Sequence, residues 1–225
     1  SFQVREGEIV CIAGIDGNGQ TELIYGLSGL EKMTSGTITL DGKDLTKMSI
    51  HKRNLSGISH IPEDRHKHGL VLDDTLENNL VLQSYTDPRF QHMGFIKSGE
   101  VRDYALKIID EYDVRSGQGP VTITRSMSGG NQQKVLISRW LANNPDILIM
   151  DEPTRGIDVG AKYEIYQIMI DLAKQGKGII MISSEMPELI GMSNRILVMC
   201  NGHITGEVQG EEATQERIMS YATKF

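Results

Sequence analysis

The sequence predicts an α/β domain in which helices cover both faces of a mostly parallel β-sheet. Apolar segments of strand length recur along the chain, and amphipathic helical segments separate several of them. Strands of a parallel sheet are buried on both faces, so their sequences are nearly continuous apolar runs of this kind. Of the 225 residues, 39% are hydrophobic and 24% are charged, which supplies a buried core and argues against disorder.

Each predicted element follows from local periodicity. Apolar runs predict strands over residues 8–13, 37–40, 57–61, 147–150, 178–183, 196–199 and 204–208. Residues 1–4 have the alternation of an amphipathic strand, and we also expect an antiparallel β edge on the sheet. The clearest helix covers residues 161–174, and others are predicted over 128–143 and from about Thr21.

The middle of the chain has a different pattern. Residues 64–125 contain no convincing strand, and helices are predicted there over residues 75–82 and 100–112. We therefore expect a helical subdomain, residues 64–126, inserted between two parts of one core, residues 1–63 and 127–225.

Composition excludes several classes of protein. The chain has 23 Lys and Arg against 30 Asp and Glu, a net charge of −7, which argues against nucleic acid as the main partner. Cys11 and Cys200 lie in apolar runs and are expected to be reduced core thiols. No segment reaches the roughly 20 apolar residues that a membrane-spanning helix needs. Because the sequence starts within a strand-like segment, we expect it to be a fragment of a longer protein.

Residues 14–21 form a glycine-rich segment between a predicted strand and a predicted helix. The spacing matches G-x-x-x-x-G-K-[ST], whose backbone N–H groups and helix N-terminus bind phosphate, except that Gln20 replaces the lysine. Losing that charge is expected to weaken ATP binding by about 1.5–3 kcal/mol. A glycine-rich turn without a ligand is the alternative. The predicted nucleotide-binding residues are Gly14, Asp16, Gly17, Asn18, Gly19, Gln20, Thr21 and Glu22.

Two acidic residues follow the apolar run at residues 147–150. In a P-loop enzyme the first, here Asp151, helps to hold Mg²⁺ together with a hydroxyl such as that of Thr21. The second, here Glu152, polarises the attacking water, so Glu152 is the predicted catalytic residue. Side chains of adjacent strand residues face opposite ways, which would let the two acids take different roles.

A third motif begins at Ser128-Gly129-Gly130 and continues as Asn131-Gln132-Gln133-Lys134. Taken alone, it predicts an N-capped helix. Together with Asp151-Glu152-Pro153-Thr154 it resembles the signature of ABC-type ATPases, a resemblance that covers nearly the whole chain.

In that family two ATPase domains meet head to tail, and each ATP lies between the P-loop of one domain and the signature of the other. The resemblance implies that Ser128, Gly129, Gly130 and Gln132 complete a partner's site. It also implies that Asp158 lies in the loop that touches the partner domain.

Departures from the family pattern imply a weak site in this domain. Glu63 matches the family's glutamine that senses Mg²⁺ and water, and Ser184 matches its switch histidine. With Gln20 in the P-loop, the resemblance implies weak ATP binding and slow hydrolysis here, beside a competent signature. The family's adenine-stacking aromatic residue would lie upstream of residue 1.

Five motifs narrow the resemblance to the second ATPase half of tandem simple-sugar importers, which serve ribose, galactose or xylose. They are residues 17–23, 62–70, 128–134, 153–161 and 182–189. This implies an upstream sister domain, membrane permease subunits, a periplasmic or lipid-anchored sugar-binding protein, and a place at the cytoplasmic face of the membrane.

Three alternatives remain open at the level of sequence. The first is a nucleoside importer of the same family. The second is a regulatory module that binds nucleotide without hydrolysing it and serves only through its signature. The third is an ABC protein of DNA repair or translation, which would need a long coiled-coil insertion or basic linkers that this sequence lacks.

Overall fold

A computed structural model describes residues 1–224. The helices and strands occur in this order: β1 (Ile9–Gly14), α1 (Gln20–Ser28), β2 (Thr39–Leu40), β3 (Lys43–Asp44), α2 (Ile50–Leu55), β4 (Ile58–Ile61), α3 (Leu76–Val81), β5 (Gln91–His92), β6 (Phe95–Ile96), α4 (Ser98–Glu111), α5 (Gly129–Leu141), β7 (Ile147–Asp151), α6 (Val159–Lys174), β8 (Gly178–Ile182), α7 (Met186–Met192), β9 (Arg195–Cys200), β10 (His203–Gln209) and α8 (Gln215–Ala222).

Chain contacts divide the molecule into two compact units. The first comprises residues 1–60, 145–153 and those from Tyr166 onward, and the second comprises residues 61–144 and 154–165. The division at residues 63 and 126 that the sequence suggests stays a prediction.

A six-stranded sheet in the order β10-β9-β1-β8-β7-β4 forms the centre of the first unit. Strands β9, β1, β8 and β7 pair in parallel, and β10 adds an antiparallel edge to β9. The residues of the four parallel strands are buried nearly throughout, because apolar contacts cover both faces of them, whereas β10 is mostly exposed. The predicted α/β class, with a mostly parallel sheet and an antiparallel edge, is confirmed. Both cysteines are buried free thiols, as predicted.

The second unit is mainly helical. Helix α3 packs against α4 and α5, and Val81, Phe90 and Val101 form a small core against which Tyr104 packs. Asn79 is 1% exposed, and its side-chain amide binds Val71 and Thr124, so this polar group is satisfied inside the unit.

Three predictions about strands need correction. Residues 1–4 are not in a strand, and the strand predicted over 37–40 is only β2, which pairs with β3 apart from the main sheet. The helical insertion contains a hairpin of two short strands, β5 and β6, where the sequence predicts none. Its turn needs positive φ at Met93 and Gly94, and methionine lacks the Asn or Asp signature of such turns. Among residues 1–224, no helix is long and apolar enough to cross a membrane.

Candidate nucleotide-binding and signature sites

The glycine-rich loop joins β1 to α1 in the first unit. Gly19 is the N-cap of α1 and has no side chain to occupy the N–H groups of the first turn, which leaves them available to an anion. Asn18 fixes the loop to the turn between β9 and β10: its Oδ1 accepts from Asn201 N at 3.0 Å and its carbonyl from Gly202 N at 2.9 Å. The loop is thus anchored to this turn at the carboxyl end of β1.

Gln20 folds back onto this loop. Its Nε2 donates to the carbonyl of Ile15 at 3.3 Å and would lie 2.2 Å from a Cβ placed on Gly14. Gly14 therefore has to be glycine for the Gln20 side chain to take this path. The group at the position of the family's lysine is a neutral donor already bonded to the loop.

The acidic pair lies at the end of β7, two strands from β1 in the sheet. Burial, and then the charge of Glu152, raises the pKa of Asp151 to about 6. Burial also raises the pKa of Glu152. The hydrogen bond that Glu152 Oε1 accepts from Ser184 N at 2.6 Å acts to lower this pKa. Burial is the largest cause of both pKa shifts, and the negative charges of Glu188 and Asp16 also act to raise the pKa of Glu152.

The structure corrects the predicted strand-like alternation of the two acidic residues. Strand β7 ends at Asp151, and Glu152 has a left-handed backbone with φ of +48°. Its N–H donates to Ile182 O at 3.0 Å, which links the ends of β7 and β8. Such a conformation is costly for a residue with a side chain and is found more often at functional sites.

The donor set of the first unit fits Mg²⁺. Thr21 offers a hydroxyl and Asp151 a carboxylate, both hard oxygen ligands of the kind this ion prefers. Burial and the charge of Glu152 raise the pKa of Asp151, and a divalent cation beside it would favour the charged carboxylate. Among residues 1–224, no group of three or more His, Cys, Asp or Glu side chains is placed to hold a metal ion.

The signature segment lies in the second unit and starts α5. Ser128 is the N-cap, and its Oγ accepts from Asn131 Nδ2 at 2.9 Å and from Asn131 N at 3.4 Å, which leaves its own hydroxyl proton to donate. A Cβ on Gly130 would lie 2.4 Å from the Cβ of Ala161, and one on Gly129 3.2 Å from Gly156 O. Both glycines thus permit close packing, a requirement that the motif alone did not indicate.

Gln132 lies inside the second unit. It is 5% exposed, its Nε2 donates to Thr124 O at 3.0 Å, and its Oε1 is 2.8 Å from His66 Nε2. It braces the segment that precedes Ser128, and its predicted part in a partner's site stays a prediction. The same hydrogen bond connects the His66 imidazole to α5 through Gln132.

Beside Ser128 the second unit has a polar cavity of about 200 Å³. Its lining includes Gly130, Lys134, Asp158 and Glu164. The Lys134 side chain is 4% exposed, and its ammonium lies 2.8 Å from the Glu164 carboxylate. Sequence reasoning missed this pair, because partners 30 residues apart give no local pattern.

Glu63 and the loop at residues 155–158 are joined within the second unit. The Glu63 carboxylate forms an ion pair with Arg155, and the Arg65 guanidinium donates to the carbonyls of Arg155 and Gly156 at 2.8 and 3.2 Å. Asp158 Oδ1 accepts from Ala161 N at 3.0 Å and so caps the first turn of α6. The sequence did not indicate that Arg65 holds this loop.

The comparisons with known proteins agree with this arrangement. A model of the family described as ABC transporter matches residues 1–155. The galactose/methyl galactoside import ATP-binding protein MglA of Clostridium tetani is 47% identical over all of this chain and 44% of its own length. The ribose import ATP-binding protein RbsA of Oceanobacillus iheyensis is 46% identical over 99% of this chain and 44% of its own. The guanosine import ATP-binding protein NupO of Bacillus subtilis is 45% identical over 97% of this chain and 42% of its own length.

Solved structures share the fold. A nucleotide-free ATP-binding cassette from an ABC transporter matches with a TM-score of 0.79 at 22% identity, over 99% of this chain and 87% of that chain. The dimeric cassette MJ0796 bound to ADP and Pi matches with a TM-score of 0.76 at 24% identity, over 92% and 88%. This chain spans less than half the length of the three import proteins. Because the fold is that of these cassettes and the family model covers more than half of its residues, the chain belongs to the ABC transporter family.

Proposed function

We propose that this chain is an ATP-binding domain that energises uptake of a simple sugar, as the second half of a tandem ABC import subunit. The observation that carries the proposal is the contrast between its two sites: Gln20 leaves the P-loop without a cation, whereas Ser128 caps a well-formed signature helix. Its similarity to galactose and ribose import proteins supports the sugar class.

The proposed reaction is hydrolysis of the γ-phosphate of ATP. Backbone N–H groups of the loop at residues 14–21 would bind the phosphates. Glu152 would accept a proton from the attacking water as its oxygen bonds to phosphorus and the bond to the ADP oxygen breaks, giving ADP and phosphate. Mg²⁺, held through Thr21 and Asp151, would supply positive charge against the developing negative charge.

The partners belong to the same proposal. A sister domain would place its P-loop against Ser128, Gly129 and Gly130, and this chain's P-loop would face the sister's signature. Membrane permease subunits would bind both domains at the cytoplasmic face of the membrane, and a sugar-binding protein would deliver the substrate from outside.

Two other functions stay open. Similarity to a guanosine import protein, at 45% identity against 47% for the galactose protein, supports a nucleoside as the cargo almost equally. The neutral Gln20 also suits a regulatory half that binds nucleotide without hydrolysing it. Replacing Glu152 with Gln separates a hydrolysing half from a regulatory one. It lowers total ATP turnover only if this domain hydrolyses ATP itself.

The first test is steady-state ATP hydrolysis by this domain, by a lysine-bearing sister domain and by their equimolar mixture. We expect the mixture to be active and Ser128→Arg in this chain to silence it, because arginine would fill the place of the phosphate beside the signature. Ser98→Arg, at an exposed position at the start of α4 in the same unit, is the control for added charge. Hydrolysis by this domain alone at the rate of the mixture would contradict a weak site, and full activity of Ser128→Arg would contradict the donated signature.

A further inference from the structure

Glu188, in the first turn of α7, is a buried carboxylate with two identified donors. The residue is 5% exposed. Its Oε1 accepts from the Tyr166 hydroxyl at 2.6 Å and its Oε2 from the Ser183 hydroxyl at 2.7 Å. A buried carboxylate is costly unless hydrogen bonds compensate the lost water, so this geometry constrains both donors. Glu188 therefore joins three elements of the first unit: α6, α7 and the end of β8.

Ser183 passes this constraint to the turn that follows β8. While its hydroxyl donates to Glu188, its Oγ accepts from Glu185 N at 3.0 Å. The backbone of Ser184 is therefore fixed on both sides by the same serine hydroxyl. The N–H of Ser184 donates in turn to Glu152 Oε1 at 2.6 Å.

Glu152 depends on this turn for its position. Its left-handed backbone is disfavoured and its side chain is partly buried, so the contacts around it decide where the carboxylate lies. Two contacts come from the end of β8: Ile182 O accepts from Glu152 N, and Ser184 N binds the carboxylate. The N–H of Ser184 therefore holds the acid, and a hydrogen bond from the Ser184 side chain adds to it.

We propose that Glu188, with Tyr166 and Ser183, positions the Ser184 N–H so that it holds the Glu152 carboxylate in place. These are positioning residues: the network ends at Glu152, which would touch the attacking water. The proposal takes the function of Glu152 from the proposed ATPase activity, but the network itself can be tested without nucleotide.

Hydrogen exchange of the Ser184 amide in the nucleotide-free, natural full-length protein tests the network. We expect Glu188→Gln to raise its exchange rate about tenfold, the change that corresponds to one net hydrogen bond. Tyr166→Phe and Ser183→Ala should act in the same direction, and either replaces Glu188→Gln if that variant does not fold. Tyr163→Phe is the matched control, since Tyr163 lies on the same helix and is 63% exposed. Unchanged exchange at Ser184 in folded variants would overturn the proposal.

Kinetics of the same variants then test the consequence for Glu152. We expect Tyr166→Phe to lower about tenfold the turnover of this domain's own site, measured as the part of kcat that Glu152→Gln removes, and to leave the Kd of ATP unchanged. A parallel rise in Kd would show general damage to the nucleotide site and would overturn the positioning role. If the protein shows no ATPase activity at all, the proposed function fails, and the exchange result alone decides on the network.

Discussion

At the scale of single residues, Gln20 sets the strength of the phosphate site. Its amide donates to the carbonyl of Ile15 in the same loop, so a phosphate has to compete with that bond. Once free, the amide offers a neutral donor, which lacks the charge–charge attraction that a lysine ammonium has for phosphate. Position 20 therefore limits affinity even though the loop has the right backbone.

Replacing Gln20 with lysine is expected to tighten ATP binding in this domain about tenfold or more, equivalent to the roughly 1.5–3 kcal/mol of a charged hydrogen bond. The Kd of ATP, measured by calorimetry on both proteins, checks this. Gln20→Met is the control, because it removes the amide contact with Ile15 without adding charge. Equal tightening by lysine and methionine would show that release of the loop, and not charge, is what matters.

At the scale of elements, the signature helix depends on a close contact between α5 and α6 in the second unit. Gly130 and Ala161 approach so closely that one added carbon at residue 130 overlaps the alanine side chain. Asp158 caps the first turn of α6, and Arg65 holds the preceding loop through its carbonyls. The start of α5 and the loop before α6 therefore form one packed element.

Gly130→Ala is expected to destabilise the protein by about 1–3 kcal/mol, the usual cost of overpacking. Chemical denaturation of purified variants measures this. Gly99→Ala is the matched control, because Gly99 lies in helix α4 with nothing within 4 Å of the added carbon, where alanine favours the helix. If both variants are as stable as the parent, the two helices adjust freely and the contact is not a constraint.

At the scale of the whole molecule, a buried ion pair connects the start of the chain to the sheet. Arg195, at the start of β9, donates to Glu8 Oε1 at 2.9 Å and to Oε2 at 3.2 Å, and both side chains are 9% exposed. Arg195 also donates to Gln3 O at 2.6 Å. Burial acts to raise the pKa of Glu8, but hydrogen bonds from Arg195 and from the N–H of Arg5 hold it below its usual value of 4.5.

Glu8→Gln is expected to lower the free energy of unfolding near pH 7 by about 3 kcal/mol, because it removes the buried charge partner of Arg195 and leaves only the half-exposed Glu207 carboxylate at 3.3 Å. The folded-state pKa of Glu8 is depressed, so the pair stabilises the fold above pH 4.5 and this contribution is lost as pH falls through the folded-state pKa. Urea denaturation of both proteins from pH 7 to pH 3 measures it. The difference should shrink with acid, and a constant difference would contradict the ion-pair account.

The sequence by itself determined the α/β class, the parallel strands and the three motifs of the site. Nearly continuous apolar runs fix buried strands, as in β1 and β8, and glycine spacing marks the phosphate loop, because these features depend on neighbouring residues only. The same reasoning failed where local pattern is weak, as in β5–β6, whose turn contains Met93.

Only the tertiary structure decided how the motif residues are held. The Glu188 network joins Tyr166 to Ser183, and Asn18 is held by the distant Asn201. The tertiary structure also places Glu152 beyond the end of β7, in a left-handed backbone conformation held from the end of β8. These contacts join residues far apart in sequence, so neither period nor spacing encodes them. They form because parallel strands end at one edge of the sheet and bring their following loops together.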